Sequence, residues 1–144
     1  MIEQDTVRLL RECDAGVKMG VASIEDVLKY VHSEALEKRL TDCRDEHARL
    51  ETEIREQLSK YHDSGKAPAP IAKSMSKLKT TAMLAMDNTD QTIADLMTDG
   101  CNMGVKSLGK YLNQYKAADE VSKDITKRLM NSEEKLAVDI RRFL

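Results

Sequence analysis

The residues of this chain that could do chemistry are few and scattered. Asp14, Cys43, His47, Cys101 and Glu133 each fall on or beside the apolar stripe of a helical pattern, where a polar group has to find a partner. Carboxylate, imidazole and thiolate groups gathered in one core could hold a single metal ion or a heme. Without a metal, His47 reads as a neutral core histidine hydrogen-bonded to Glu133, Ser132 or Thr98. Cys13, Cys43 and Cys101 then read as small buried residues, and no CxxC spacing joins them. An odd cysteine count behind a start that does not look like a secretion signal fits reduced thiols and a cytoplasmic location. His32 and His62 fall at helix ends, where exposure is expected. The sequence carries no nucleotide loop, zinc spacing or nucleophile motif.

The elements that must position these residues are all helical. Val7, Leu10, Cys13, Val17, Val21, Ile24, Leu28 and Val31 are spaced by three and four, which predicts a first helix capped by Asp5 and running to about His32. Leu36, Leu40, Cys43, His47, Leu50, Ile54, Leu58 and Tyr61 predict a second, from about Ser33 to His62. The short turn between them implies an antiparallel pair. Pro68 and Pro70 are the two prolines of the chain and mark its clearest break. Beyond them Ile71, Met75, Leu78, Ala82 and Met86 predict a shorter helix, in a stretch that carries Lys66, Lys73, Lys77 and Lys79. The capping cluster Asp87-Asn88-Thr89-Asp90 opens a third long helix with Ala94, Met97, Cys101, Val105, Leu108, Leu112 and Tyr115 on one face. After a break near residues 116–119, the stripe Val121, Ile125, Leu129, Ser132, Leu136, Ile140 and Phe143 predicts a fourth.

An internal repeat relates these pieces. The segment Gly16-Val17-Lys18-Met19-Gly20-Val21-Ala22-Ser23-Ile24 returns as Gly100-Cys101-Asn102-Met103-Gly104-Val105-Lys106-Ser107-Leu108, identical at five of nine positions at an offset of 84. A weaker echo sets Glu53-Ile54-Arg55 against Asp139-Ile140-Arg141. The chain therefore reads as one domain over 1–144, with a hairpin over about 5–62, a crossover over about 63–88 and a second hairpin over about 89–144. Glycine inside a helix costs about 1 kcal/mol against alanine. Gly16, Gly20, Gly100 and Gly104 thus call for a reason, which is close helix packing within the bundle or, alternatively, a dimer interface or a small ligand cavity. Met19 and Met103 lie off their stripes, which points to self-association, whereas Met75, Met86 and Met97 read as core or edge filling.

Two hairpins and a long crossover resemble the ferritin-like superfamily, and the chain looks like a small bacterial member of it. The resemblance implies a four-helix bundle with iron or manganese held by one Glu on each of helices 1 and 3 and by Glu-x-x-His on each of helices 2 and 4. The sequence departs from that pattern. Asp14 could point inward, but Glu12 falls on the far side of its helix and Asp14 maps onto Thr98 in the repeat. Arg44 stands three residues before His47 where Glu is required, and Ala137 stands three after Glu134 where His is required. A reduced ligand set of Asp14, His47, Glu133 and Cys101 remains, with His47, Cys101 and Glu133 at similar depth if the crossover spans the bundle.

Composition bounds the rest. The chain has 144 residues, 23 Lys+Arg against 25 Asp+Glu, no Trp and one Phe. Balanced charge and so few aromatics argue against nucleic-acid binding, and the apolar runs are too short for a membrane span. The expected protein is an all-α bundle, a homo-oligomer with a dimer favoured, acting as a structural or protein-interaction module without a standard two-metal centre and with no cofactor. A metal-binding oxidoreductase or metal-storage relative is the alternative reading.

Overall fold

The computed structural model describes residues 2–68, 80, 81 and 83–144, and these form an all-helical bundle without strands. Helix α1 spans Ile2–Leu28, α2 Glu34–Ser59, α3 Asp90–Gln114 and α4 Glu120–Asp139, followed by a 3-10 turn at Arg141–Phe143. No helix among the described residues is long and apolar enough to cross a membrane. Ile71, Met75, Leu78, Ala82, Lys73, Lys77 and Lys79 lie outside the described residues. Residues 80, 81 and 83–86 are helical.

Each of α1 and α2 packs on the other, as do α3 and α4, and the two pairs meet through α2 on α4 and α1 on α3. Contacts fix the directions. The start of α1 meets the α3–α4 turn, while the start of α3 meets the α1–α2 turn. Packed neighbours are therefore antiparallel, and α2 and α3 run the same way. The chain leaves α2 beside Asp14 and rejoins the opposite end of the bundle at Leu84. One apolar cluster there includes Ile24, Leu36, Leu40, Ile93 and Ile140, and a second at the other end includes Leu10, Val17, Leu50, Ile54 and Leu129. Burying each such side chain stabilises the fold by roughly 1.5–3 kcal/mol.

Caps explain where the helices begin. Ser33, Thr89 and Asp119 each accept the amide three residues on, at Leu36, Thr92 and Ser122. Asp5 is no cap, because α1 already starts at Ile2; its carboxylate instead accepts the Ala117 amide at 3.0 Å. The neighbouring Thr6 hydroxyl accepts the Asp119 amide at 2.8 Å. Asp90 does the same work at the other end, taking the amides of His32 at 2.8 Å and Ser33 at 2.9 Å. Thr6 and Asp90 stand 84 positions apart, the spacing of the glycine repeat. Each hairpin's first helix thus secures the turn of the other hairpin.

Several boundaries and faces differ from the sequence reading. α1 stops at Leu28 and α2 at Ser59, since a turn at residues 29–30 and the positive φ of 57° at His62 end their helical runs. Val121 is 50% exposed, because the Asp119 cap turns Ser122 and Ile125 inward instead. Met86 is 90% exposed, since Leu84 takes the core position at that end. Glu12 is covered by the chain after α2, where Lys66 Nζ reaches it at 2.6 Å.

Removing the Asp90 carboxylate leaves two turn amides without their charged acceptor. We expect Asp90→Ala to lower stability by about 1–3 kcal/mol. A fall in the urea midpoint with an unchanged slope would register it, and no fall would show that the turn is held otherwise.

Candidate functional site

The polar centre of the bundle lies between its two apolar clusters. His47 projects from α2 and is 1% exposed; Glu133 projects from α4 and is 8% exposed. His47 Nε2 faces Glu133 Oε1 at 3.6 Å. Its Nδ1 lies 3.0 Å from the Cys43 carbonyl oxygen, to which an Nδ1–H donates. Acceptors at both ring nitrogens favour the doubly protonated ring. Burial alone would pull the imidazole down, but its contacts with Cys43 and Glu133 outweigh burial and lift it to about 10. These contacts favour the charged imidazole over the neutral histidine expected from the sequence. Of its three expected partners, Glu133 and Ser132 are in reach, Ser132 Oγ at 3.4 Å from Nδ1. The Thr98 hydroxyl is buried without a hydrogen-bond partner among the described residues.

The second glycine of each repeat makes room for this pair. A Cβ on Gly20 would lie 2.9 Å from His47 Cδ2, and one on Gly104 would strike the Glu133 carboxylate, 2.7 Å from its Cδ. Gly16 and Gly100 face open space among the described residues, with none of their atoms within 4 Å of an added Cβ. His47 and Glu133 stand 86 positions apart, the spacing of the caps Ser33 and Asp119 and of the Glu53/Asp139 echo. Glu133 keeps one buried oxygen, Oε2, without a hydrogen-bond partner among the described residues.

The remaining candidates are placed differently. Asp14 is 3% exposed but turns to the chain after α2, accepting from Lys18 Nζ at 2.8 Å and the Lys66 amide at 2.9 Å. Cys101 is buried near Glu133 and Cys43, and burial first, then those charges, pushes its thiol up to about 12. Cys13 is likewise pushed up to about 12 by burial, despite a 3.1 Å contact with Thr126 Oγ1 that works the other way. All three cysteines are free and buried, and His32 and His62 are exposed. Among the described residues, no group of three or more His, Cys, Asp or Glu side chains is arranged to hold a metal ion. The donor set does not fit a two-metal centre: Asp14 is bound elsewhere, and His47 and Glu133 bind each other.

Sequence reasoning missed the surroundings of Cys43. A groove of about 400 Å³ opens between α2 and α4, with Cys43, Ser132 and Leu136 along its buried side and Arg39, Arg49 and Arg128 among its charged lining. Arg128 forms a two-pronged pair with Glu53, at 2.7 and 2.8 Å, that ties α2 to α4 beside it. The available signal was the spacing of Arg39, Cys43 and His47, each four residues apart and so on one helix face.

Compared with known proteins, the chain matches no family model, no curated protein and no solved structure.

Two outcomes follow from the polar centre. We expect Gly100→Ala to stabilise by about 0.5–1 kcal/mol through helix propensity. Gly104→Ala should instead destabilise, because the Glu133 carboxylate has to leave His47; thermal midpoints of the two variants shifting the same way would refute this geometry. The second outcome concerns pH. The folded imidazole keeps a proton to about 10, whereas the unfolded one releases it near the ordinary 6.5. Its contribution is complete below the lower value and is lost as pH rises through the higher. The wild-type denaturation midpoint should decline from pH 6.5 upward to about 8.5, where ordinary thiols begin to titrate. His47→Gln should flatten that decline.

Proposed function

We propose that this chain is a ferritin-like four-helix bundle, built from two duplicated hairpins and a long crossover, that acts as a structural or protein-interaction module in the cytoplasm. It works without a standard two-metal centre. One observation carries this reading: the two buried ionisable groups at the bundle centre, His47 and Glu133, face each other as an ion pair. The matching positions on α1 and α3 hold Gly20 and Gly104, so those helices offer no carboxylate there. Antiparallel neighbours and a crossover that changes ends support the ferritin-like topology. The offsets of 84 and 86 between corresponding caps, glycines and central residues support the duplication.

The partner in this reading is a second copy. Gly16 and Gly100 present small-residue positions open among the described residues on α1 and α3, and Met103, three residues after Gly100 on α3, is 70% exposed. Balanced charge gives no pull toward nucleic acid.

A second reading has one observation in its favour, the unpartnered Glu133 Oε2. Here the protein is a metal-dependent oxidoreductase or storage relative in which Glu133 and His47, with Cys101, part from their present contacts to take iron or manganese. Protein purified without chelator should contain far less than one metal per chain, and sedimentation should give a dimer that Gly100→Glu converts to monomer. Stoichiometric iron or manganese that disappears in His47→Ala would overturn the first reading in favour of the second. A monomer in the wild type would overturn the proposed partner.

A further inference from the structure

Cys43 stands apart from the other two thiols in its surroundings. It lines the groove between α2 and α4, whereas Cys13 and Cys101 do not. Its Sγ lies 3.6 Å from His47 Nδ1 and 3.8 Å from Ser132 Oγ, and that hydroxyl is in turn 3.4 Å from Nδ1. Sulfur, imidazole and hydroxyl therefore form a triangle beneath the groove. Behind the ring, Glu133 faces Nε2. One turn before Cys43, Arg39 lines the same groove and forms no ion pair among the described residues. The arrangement has the parts of an activated nucleophile: a thiol, a ring within reach of it, and a carboxylate that orients the ring.

We propose that Cys43 is a reactive thiol that reduces small hydroperoxides entering the α2–α4 groove, with His47 as the proton donor and Glu133 as its positioning residue.

The helix limits the alternatives. Cys43 sits in the middle of α2, where the backbone N–H groups are used in the helix, so none is left to stabilise the oxyanion that acyl transfer requires. Attack on an O–O bond needs no such donor. It needs a thiolate and a proton for the departing oxygen. The charges lining the groove come from both helices. Arg39, Asp42, Glu46 and Arg49 line it from α2 and Arg128, Lys135 and Asp139 from α4, and Glu133 faces the His47 ring behind the sulfur.

The step balances as follows. The thiol proton leaves through the groove to solvent. The thiolate, its sulfur 3.6 Å from Nδ1, attacks the hydroxyl oxygen of the peroxide; an S–O bond forms and the O–O bond breaks. Sulfur is oxidised to sulfenic acid while the peroxide is reduced. The departing alkoxide or hydroxide takes the proton of His47 and leaves as alcohol or water. His47 then regains a proton from solvent, which matches the one the thiol released. Two equivalents of a small-molecule thiol return the sulfenic acid to thiol: the first condenses to a mixed disulfide with loss of water, and the second attacks that disulfide, releasing the Cys43 thiol and the small-molecule disulfide.

This inference does not depend on the bundle's role as an interaction module. Its test uses the reduced full-length chain at pH 7 with hydrogen peroxide and dimedone, which traps sulfenic acids, and locates the adduct by peptide mass spectrometry. The adduct is expected on Cys43, at a rate roughly tenfold or more above any on Cys13 or Cys101. His47→Gln and Arg39→Gln should each slow it, the former by roughly tenfold. Labelling of Cys43 no faster than of Cys101, or a rate that both variants leave unchanged, would overturn the proposal. Should His47→Gln fail to fold, the exposed-side variant Arg39→Gln decides, and an unchanged rate there is the overturning result.

Discussion

The interaction on which the rest of the structure depends is the buried contact between His47 and Glu133. Two ionisable groups taken from water each carry a desolvation cost of several kcal/mol, which only close pairing and hydrogen bonding offset. The imidazole meets that condition on both sides, with one ring nitrogen facing the carboxylate and the other bonded to the Cys43 carbonyl, while Glu133 meets it through Oε1 and leaves Oε2 without a hydrogen-bond partner among the described residues. Much of the surrounding sequence follows from this. Gly20 and Gly104 are small because the ring and the carboxylate occupy the space a methyl group would take. The apolar core is divided in two because a polar layer crosses it.

Such a layer also fixes register. A leucine-lined interface between α2 and α4 could slide by a turn at modest cost, because its side chains are interchangeable. Moving α4 by a turn would leave Glu133 facing apolar neighbours and His47 without its counter-charge. The ends of the bundle reinforce the same alignment. Thr6 holds the amide that starts α4, and Asp90 holds the amides that start α2, so neither hairpin can shift along the other without freeing backbone donors. The centre and both ends therefore specify one arrangement.

How much of this was legible in the sequence depended on whether a local rule applied. The helix period placed His47 and Glu133 inward, and the caps Ser33 and Thr89 are where short polar side chains precede apolar stripes. Asp5 satisfied the same local rule and is a tertiary acceptor instead, which only the approach of the α3–α4 turn decides. Asp14 was legible as buried but not as belonging to the chain after α2, because nothing in the stripe says which segment returns to it. The glycines were legible as close-packing sites. That two of them face side chains and two face open space depends on distances that spacing cannot give. The protonation of His47 turns on which named partners come within reach of each ring nitrogen, and the contacts with Cys43 and Glu133, which spacing cannot measure, outweigh burial.

The relation between positions 47 and 133 bears on why the pair differs in kind. Under the duplicated reading, α2 and α4 are counterparts at an offset of 86, and residues on the pseudo-twofold axis face their own equivalents. A strictly repeated sequence would place two histidines or two glutamates opposite each other, and two like charges a few ångströms apart in a core repel. Apolar positions escape this constraint: Ile54 and Ile140 are identical and both fully buried. The axis is therefore the place where a polar bundle centre cannot stay symmetric. Once one side is imidazole and the other carboxylate, the surroundings are free to diverge too. Cys43, one turn before His47, corresponds to Leu129 on the other hairpin, which is fully buried and stands one turn before Glu133. The thiol lies on the histidine side of the broken symmetry, where the groove also opens.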